Sequence, residues 1–402
     1  MKPMTKTFLL LCLASTALAV PAMAENVPPV VAVLLHNFEV QAKVKPTYAT
    51  VETDAKGNIA ITKLAFGKAA EAGGPAVSVA IDEVDLEDVS DAGNGLYQIG
   101  SATVTGMKLD VTGANGQAFS VSMPEGSAED WYIKDAGASP TPADALRASM
   151  NVAKKMSSGK ITATAMGQTI TADGYDTTWD GDPATGAGSF TAKLGNVVIP
   201  ESAIAIMDTS GMLKQLGYSS LSFDIDGDGK LDIAGDKMGL AFNFAYVGKD
   251  MGTLRFSVGA GDIPLAVYAE LQKSQEGGKQ PDFAALMPEL QNVTLAGFTF
   301  RFEDASITKK VLPLIAKMQG MDEATMVASA GAMAQMGLMS LNNQEFTTQV
   351  VGAINAFLKE PKSITVALKP AAPIKVQELM TLNPANPGEA IAKLGVSVSA
   401  ND

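Results

Sequence analysis

Cysteine and histidine are almost missing: 402 residues hold one of each, Cys12 and His36. A single thiol closes no intramolecular disulfide. A single imidazole supplies neither a histidine-rich zinc site nor the paired histidines of a metalloprotease helix. A serine triad would depend on His36 alone, and no G-x-S-x-G elbow is present. Ser157-Ser158-Gly159-Lys160 and Ser306-Ile307-Thr308-Lys309 both fit S-x-x-K. Neither is accompanied by S-D-N or K-T-G, which removes the penicillin-recognising reading. No phosphate-cradling G-x-x-x-x-G-K-[ST] loop and no G-x-G-x-x-G fingerprint occurs. Aromatic residues make up 6%, and Trp131 and Trp179 are the only tryptophans. Platforms for stacking sugars are therefore few. A hydrolase built on paired carboxylates leaves no local signature and stays open as a second alternative.

Positive charge is scarce too. Lys and Arg total 30 against 43 Asp and Glu, a formal net charge of -13. No basic run exists to neutralise phosphates, which argues against nucleic acid and against docking on anionic head groups. Charged residues amount to only 18%, below the usual quarter or so. Apolar residues reach 47%, and the mean hydropathy is +0.14. Such a composition supplies a large core and leaves apolar material for a ligand groove.

The N-terminus reads as an export signal. Lys2 and Lys6 precede the apolar run Phe8 to Val20, and Ala22-Met23-Ala24 is a small-residue cleavage site. Leu11 stands where a lipoprotein signal needs a small residue, so Cys12 is not an acylation site. Cleavage after Ala24 would take Lys2, Lys6 and Cys12 away. The charge then becomes -15, and thiol catalysis, thiolate metal sites and iron–sulfur chemistry fall out. A cysteine-free exported chain suits a bacterial periplasm better than a eukaryotic secretory route. No second hydrophobic span is expected; Val30 to Leu35 is short and strand-like, with His36 after it.

The expected fold class is α+β: β-rich antiparallel sheets, interspersed helices and a helical C-terminal region. Four stretches are expected. Residues 1–24 are the signal peptide, and residues 25–135 a β-rich N-terminal region. Residues 136–300 form a β-rich central region with two helices. Residues 301–402 form a mainly helical part closing on the sheet. Period-two alternation around Asn94-Gly95 and around Gly113-Ala114-Asn115-Gly116 predicts hairpins. Thr141 and Pro142 open a helix whose stripe is Leu146, Met150, Ala153 and Met156, ending at Gly159. A second helix spans Glu201 to Leu216. Later helices cover Ile307–Met318, Asp322 towards Met339, Gln344–Leu358 and Pro387–Leu394. Strands cover Phe298–Phe302, Ile364–Leu368 and Val396–Val398, the last anchoring the C-terminus. Phe190 to Pro200 and Leu254 to Pro264 share the order strand, Gly-Asn or Gly-Asp turn, Ile-Pro, helix, a short internal repeat.

The most specific motif is Asp224-Ile225-Asp226-Gly227-Asp228-Gly229-Lys230-Leu231-Asp232. Asp224, Asp226, Asp228, the Lys230 carbonyl and Asp232 fit the first nine positions of a calcium loop. The twelfth position is Gly235 where a bidentate Glu is needed, and strand-like flanks enclose the motif. The competing reading is a β-hairpin with a solvated Asp-Gly-Asp-Gly tip. Asp173, Asp176, Asp180 and Asp182, around Tyr175 and Trp179, read as turn formers. Met318, Met321, Met326, Met333, Met336 and Met339 lie at helical spacing, either a soft core or an adaptable apolar surface.

Leu221 to Val258 is strand–turn–strand, and Phe298 to Asp322 is a strand followed by a Leu/Ile/Met helix. On these segments the chain resembles bacterial envelope proteins of the AsmA-like and YdgA-like kind. The resemblance implies long sheets with helices packed on them, a structural or lipid-handling role, and no catalytic residues. The expectation is an exported, non-catalytic envelope protein that takes a lipid-like apolar ligand or a protein partner and needs no cofactor. The alternative is a calcium-stabilised interaction module.

Overall fold

The computed structural model describes residues 27–42, 44–68, 75–113, 116–137, 140–150, 152–268, 270, 283–383 and 386–402. The export signal, Cys12 and the cleavage site after Ala24 lie outside the described residues, as does part of the Gly113–Gly116 turn. The chain is β-rich and α+β, its described strand pairings antiparallel. It divides into two compact units, residues 1–186 with 194–203, and residues 187–193 with 204–402.

In the first unit a helix comes first, α1 (Pro29–Ala42). The strands are β1 (Thr50–Thr53), β2 (Ile59–Lys68), β3 (Ala76–Gly93), β4 (Leu96–Thr112) and β5 (Ala118–Lys134), each paired with the next. Then come α2 (Pro142–Ser149), β6 (Val152–Ser158), β7 (Ile161–Ala165), β8 (Gln168–Ala172) and β9 (Gly174–Gly181), and from β10 (Gly188–Ile199) residues 194–199. Strand β5 pairs with β7 along its first half and with β6 along its second. Asn94 and Gly95 both take positive φ, 56° and 72°, as the expected tight hairpin requires. Met166 and Gly167 do the same between β7 and β8.

Three expectations in this unit are corrected. Val30 to Leu35 is helical: Val30, Val31 and Leu34 share one face and are buried with Ile61, Leu64, Leu86 and Ile99, so core packing outweighs β-branched preference. His36 is accordingly a helix residue. The helix opened by Thr141, whose hydroxyl accepts from the Asp144 amide, ends at Ser149. Ala153 and Met156 lie in β6 opposite Trp131 and Ala128, because burying Val152 and Ala153 against β5 satisfies more backbone and apolar surface than another helical turn. A boundary at 135 would therefore separate the paired strands β5 and β6.

The second unit holds β11 (Leu221–Ala234), β12 (Lys237–Gly248), β13 (Gly252–Pro264) and β14 (Thr294–Asp304), each paired with the next. Strand β14 also pairs with β15 (Ser363–Leu368) and β16 (Ile374–Lys375), and β15 pairs with β17 (Val396–Ala400). A boundary at 300 would cut β14 in two. The expected Glu201–Leu216 helix is two pieces, α3 (Glu201–Met207) and α4 (Met212–Gln215). The Asp208 carboxylate accepts from the amides of Met212 and Lys214 and so starts the second piece. Further on lie α5 (Phe283–Leu290), α6 (Ile307–Met318), α7 (Glu323–Leu338), α8 (Gln344–Lys359), α9 (Val376–Met380) and α10 (Pro387–Leu394). Asp322 caps α7 through the Thr325 amide, and Asn343 caps α8 through Phe346. The repeat expected at Phe190–Pro200 and Leu254–Pro264 has no turn in either copy. Both run as strand, with Asn196 and Asp262 at φ 44° and 53° on equivalent kinks.

Candidate functional site

In the second unit strand alternation sorts the side chains onto two faces. Asp228, Asn243, Ser257, Thr299 and Ala367 stand directly opposite one another across β11 to β15 and share one face. The neighbouring row on that face is Lys230, Ala241, Gly259 and Gly297. The other face carries Phe242, Phe244 and Tyr246 from β12, Leu254, Phe256 and Val258 from β13, and Phe298, Phe300 and Phe302 from β14. Ring pairs run across it: Phe242–Phe244 at 5.2 Å, Tyr246–Phe256 at 6.3 Å and Phe256–Phe300 at 5.2 Å. Phe357 of α8 packs on Phe302 at 6.1 Å and covers that end. Phe244, Tyr246 and Leu254 are exposed.

Helix α7 packs along α8, with Gly331 set against the Asn355 side chain. Its outward side is apolar as well: Met333, Met336 and Met339 are 60%, 65% and 69% exposed. The helical stretch Glu323–Leu341 has 19 residues and a mean hydropathy of 1.2 and is 6% buried, enough by length and composition to cross a membrane. The Ala, Gly and Ser between its methionines make the stretch inconspicuous in the sequence.

On the polar face, Arg301 donates to Glu303 at 2.9 Å, to Thr365 at 2.9 Å and to Asp402 at 2.8 Å, while Arg255 reaches Glu303 at 3.2 Å. Arg301 holds the Glu303 carboxyl below its ordinary range. The Ser399 hydroxyl and then Arg301 do the same to Asp402. The network ties β13 and β14 to the C-terminal strand. Farther along this face lies an open groove of about 450 Å³, bounded by Asp228, Lys230, Asn243, Ser257, Thr299 and Lys369.

The calcium motif is placed differently from either sequence reading. Asp224 to Asp232 runs as uninterrupted strand β11, paired residue by residue with Val247 to Gly239. The hairpin turn falls at Gly235-Asp236. At about 3.3 Å per residue the stretch from Asp224 to Asp232 extends about 26 Å along the strand, so the five positions do not converge on one cation shell. Asp228 accepts from the Asn243 amide at 2.8 Å and Asp232 from Lys230 at 2.7 Å. Among the described residues no group of three or more Asp, Glu, His or Cys side chains is arranged to hold a metal ion.

The remaining sequence candidates serve the first unit. His36 meets Asp135 at 3.0 Å and Asn37 bonds the Lys134 carbonyl and Ala136 amide, fastening α1 to the end of β5. Asp182 accepts from the Ala184 amide and the Thr185 hydroxyl and lies near the buried Arg147, which burial lowers to about pKa 10. Asp173 accepts from Asn196. These are turn and anchor roles.

Sequence reasoning found the alternating strand Phe298–Phe302 but missed Ser257, Thr299, Asn243 and the exposed aromatic face. The usable signal was the repeated period-two pattern in Phe242–Tyr246, Leu254–Val258 and Phe298–Phe302. Only the register shows that these runs lie side by side. A family model described as an uncharacterized protein matches residues 245–401, a segment inside the second unit. No curated protein matches the chain.

Proposed function

We propose that the chain is an exported, non-catalytic protein of the bacterial envelope that binds lipid acyl chains on the apolar face of its second unit. The observation that carries this reading is the exposed patch of Phe244, Tyr246 and Leu254 on β12 and β13. It continues into half-buried Phe256 and Phe300, while α8 covers only the Phe302 end. Large aromatic side chains left side by side on an exposed sheet face mark a binding surface. The uncharged methionine side of α7 adds a second, adaptable apolar surface of the same character. Support for export comes from Lys2, the Phe8–Val20 run and Ala22-Met23-Ala24, and the AsmA-like and YdgA-like resemblance points to lipid handling. The acidic balance disfavours recognition through anionic head groups, so the acyl chain is the part recognised.

The test is native mass spectrometry of the protein purified from cells, beside a Phe244→Asp/Tyr246→Asp double variant. Lipid-sized adducts on the parent that vanish in the folded variant are expected. A clean apo mass, or adducts undiminished by the substitutions, refutes the reading. A protein-sized adduct instead would assign the face to a partner.

A further inference from the structure

The groove on the opposite, polar face has a chemistry of its own. Its floor is the short-side-chain row Ala241, Gly259 and Gly297, three adjacent strands that raise nothing above a methyl. The walls are the next row, Asp228, Asn243, Ser257 and Thr299, with Lys230 and Lys369 at the ends. Any side chain on the two floor glycines would be tightly placed. A Cβ on Gly259 would come within 3.2 Å of the Ala296 Cβ, and one on Gly297 within 3.1 Å of the Leu368 carbonyl oxygen.

The walls favour one class of ligand. Among the described residues no hydrogen bond engages the hydroxyl of Ser257 or Thr299, and both residues are half-buried. Asp228 spends one carboxylate oxygen, Oδ2, on the Asn243 amide. Among the described residues no hydrogen bond takes up its other oxygen or the Asn243 side-chain carbonyl, and both residues line the groove. Lys230 is held by Asp232 at 2.7 Å, so no free cluster of positive charge forms. A chain of net charge -13 repels anions further. An acyl chain would leave this rank of donors and acceptors unpaired. A neutral polyhydroxylated ring meets both demands: its C–H face lies on the alanine and glycine floor, and its hydroxyls exchange hydrogen bonds with the walls. At about 450 Å³ the groove is of small-ligand size.

We propose that this groove is a carbohydrate-binding site for one or two neutral sugar rings, held by hydrogen bonds without an aromatic platform. It is independent of the apolar face on the other side of the sheet.

The experiment titrates the purified full chain with a panel of maltose, cellobiose, lactose and chitobiose, read by ligand-observed NMR and calorimetry. Two variants accompany it. Ala241→Trp fills the floor from an exposed position, and Phe244→Asp alters only the opposite face. Saturable binding of at least one sugar is expected, weakened about tenfold or more by Ala241→Trp, which is about 1.4 kcal/mol, and unchanged by Phe244→Asp. Circular dichroism confirms that each variant is folded. Absence of binding across the panel overturns the proposal, as does binding that Ala241→Trp leaves intact. Loss of lipid adducts in Phe244→Asp with sugar binding retained separates the two sites.

Discussion

Arg147 shows how much one buried charge decides. It is 2% exposed, and its guanidinium donates to the carbonyls of Pro183 at 2.7 Å and Tyr132 at 3.1 Å. Among the described residues no carboxylate within ion-pair distance neutralises it; Asp182 acts through its field. Burial disfavours the charged form, so the pKa falls to about 10 and the side chain is kept for its hydrogen bonds rather than its charge. Removing it leaves two buried carbonyls unpaired and a void where the stem lay. Arg147→Ala should cost about 2–4 kcal/mol, seen as a lower urea midpoint with an unchanged m value. Arg147→Lys should recover only part of this, because an ammonium lacks the planar fork that reaches both carbonyls. The sequence announces Arg147 as a polar residue in a short helix and nothing more; its burial comes from where β5 and the Pro183 turn converge.

Strand β11 carries the lesson at the scale of the element. A D-x-D-x-D-G-x-x-D string satisfies a loop pattern and a strand pattern equally well. Carboxylates at every second residue are what one polar strand face looks like. The far side of the same string, Phe223, Ile225, Leu231 and Ile233, is apolar and half-buried, and pairing with β12 over twelve residues settles the choice. Gly229 belongs to that pairing: a Cβ there would strike the Phe190 ring and the Ala241 carbonyl. Thermal melting in excess calcium and in chelator should therefore superimpose, and Asp226→Ala should leave both curves where they were. A rise in melting temperature with calcium that Asp226→Ala abolishes would restore the metal site. The helices behave oppositely. The starts at Thr141 and Asp322 and the end at Gly395 were legible, because a cap is a local device whose donors and acceptors lie within four residues.

Acid sensitivity belongs to the whole molecule. Asp135 and Asp182 in the first unit, and Glu303 and Asp402 in the second, all have carboxyl pKa values depressed below their ordinary range. The leading causes are the Gly137 amide, the Ala184 amide, the Arg301 guanidinium and the Ser399 hydroxyl respectively. A depressed folded pKa means that the native state holds fewer protons than the unfolded chain. The contribution is thus complete above the unfolded carboxylate values near pH 4 and disappears as pH falls through the lower folded ones. Melting temperature should be flat from about pH 7 to 5 and fall steeply below about pH 4, with loss of the β signal in circular dichroism. Unchanged melting down to pH 2.5 would show that these hydrogen bonds contribute nothing. Asp402 adds a positional point. Through Arg301 and Ser399 it fastens the chain end to the sheet, so the C-terminus takes part in the second unit's fold.

By itself the sequence determined the broad α+β class, the hairpin at Asn94-Gly95 and the capped helix starts at Thr141 and Asp322. Each follows from residues close together in the chain. Tertiary structure alone decided that Val30–Leu35 is helix, that Ala153 and Met156 are strand, and that the aspartate string is a sheet face. In each case two local conformations are nearly equal in energy, and burial against a distant partner chooses between them. The groove and the aromatic patch belong to the same class. Asn243, Ser257 and Thr299 are ordinary polar strand residues until the register of four strands sets them in one row, and no spacing within a single segment encodes that register.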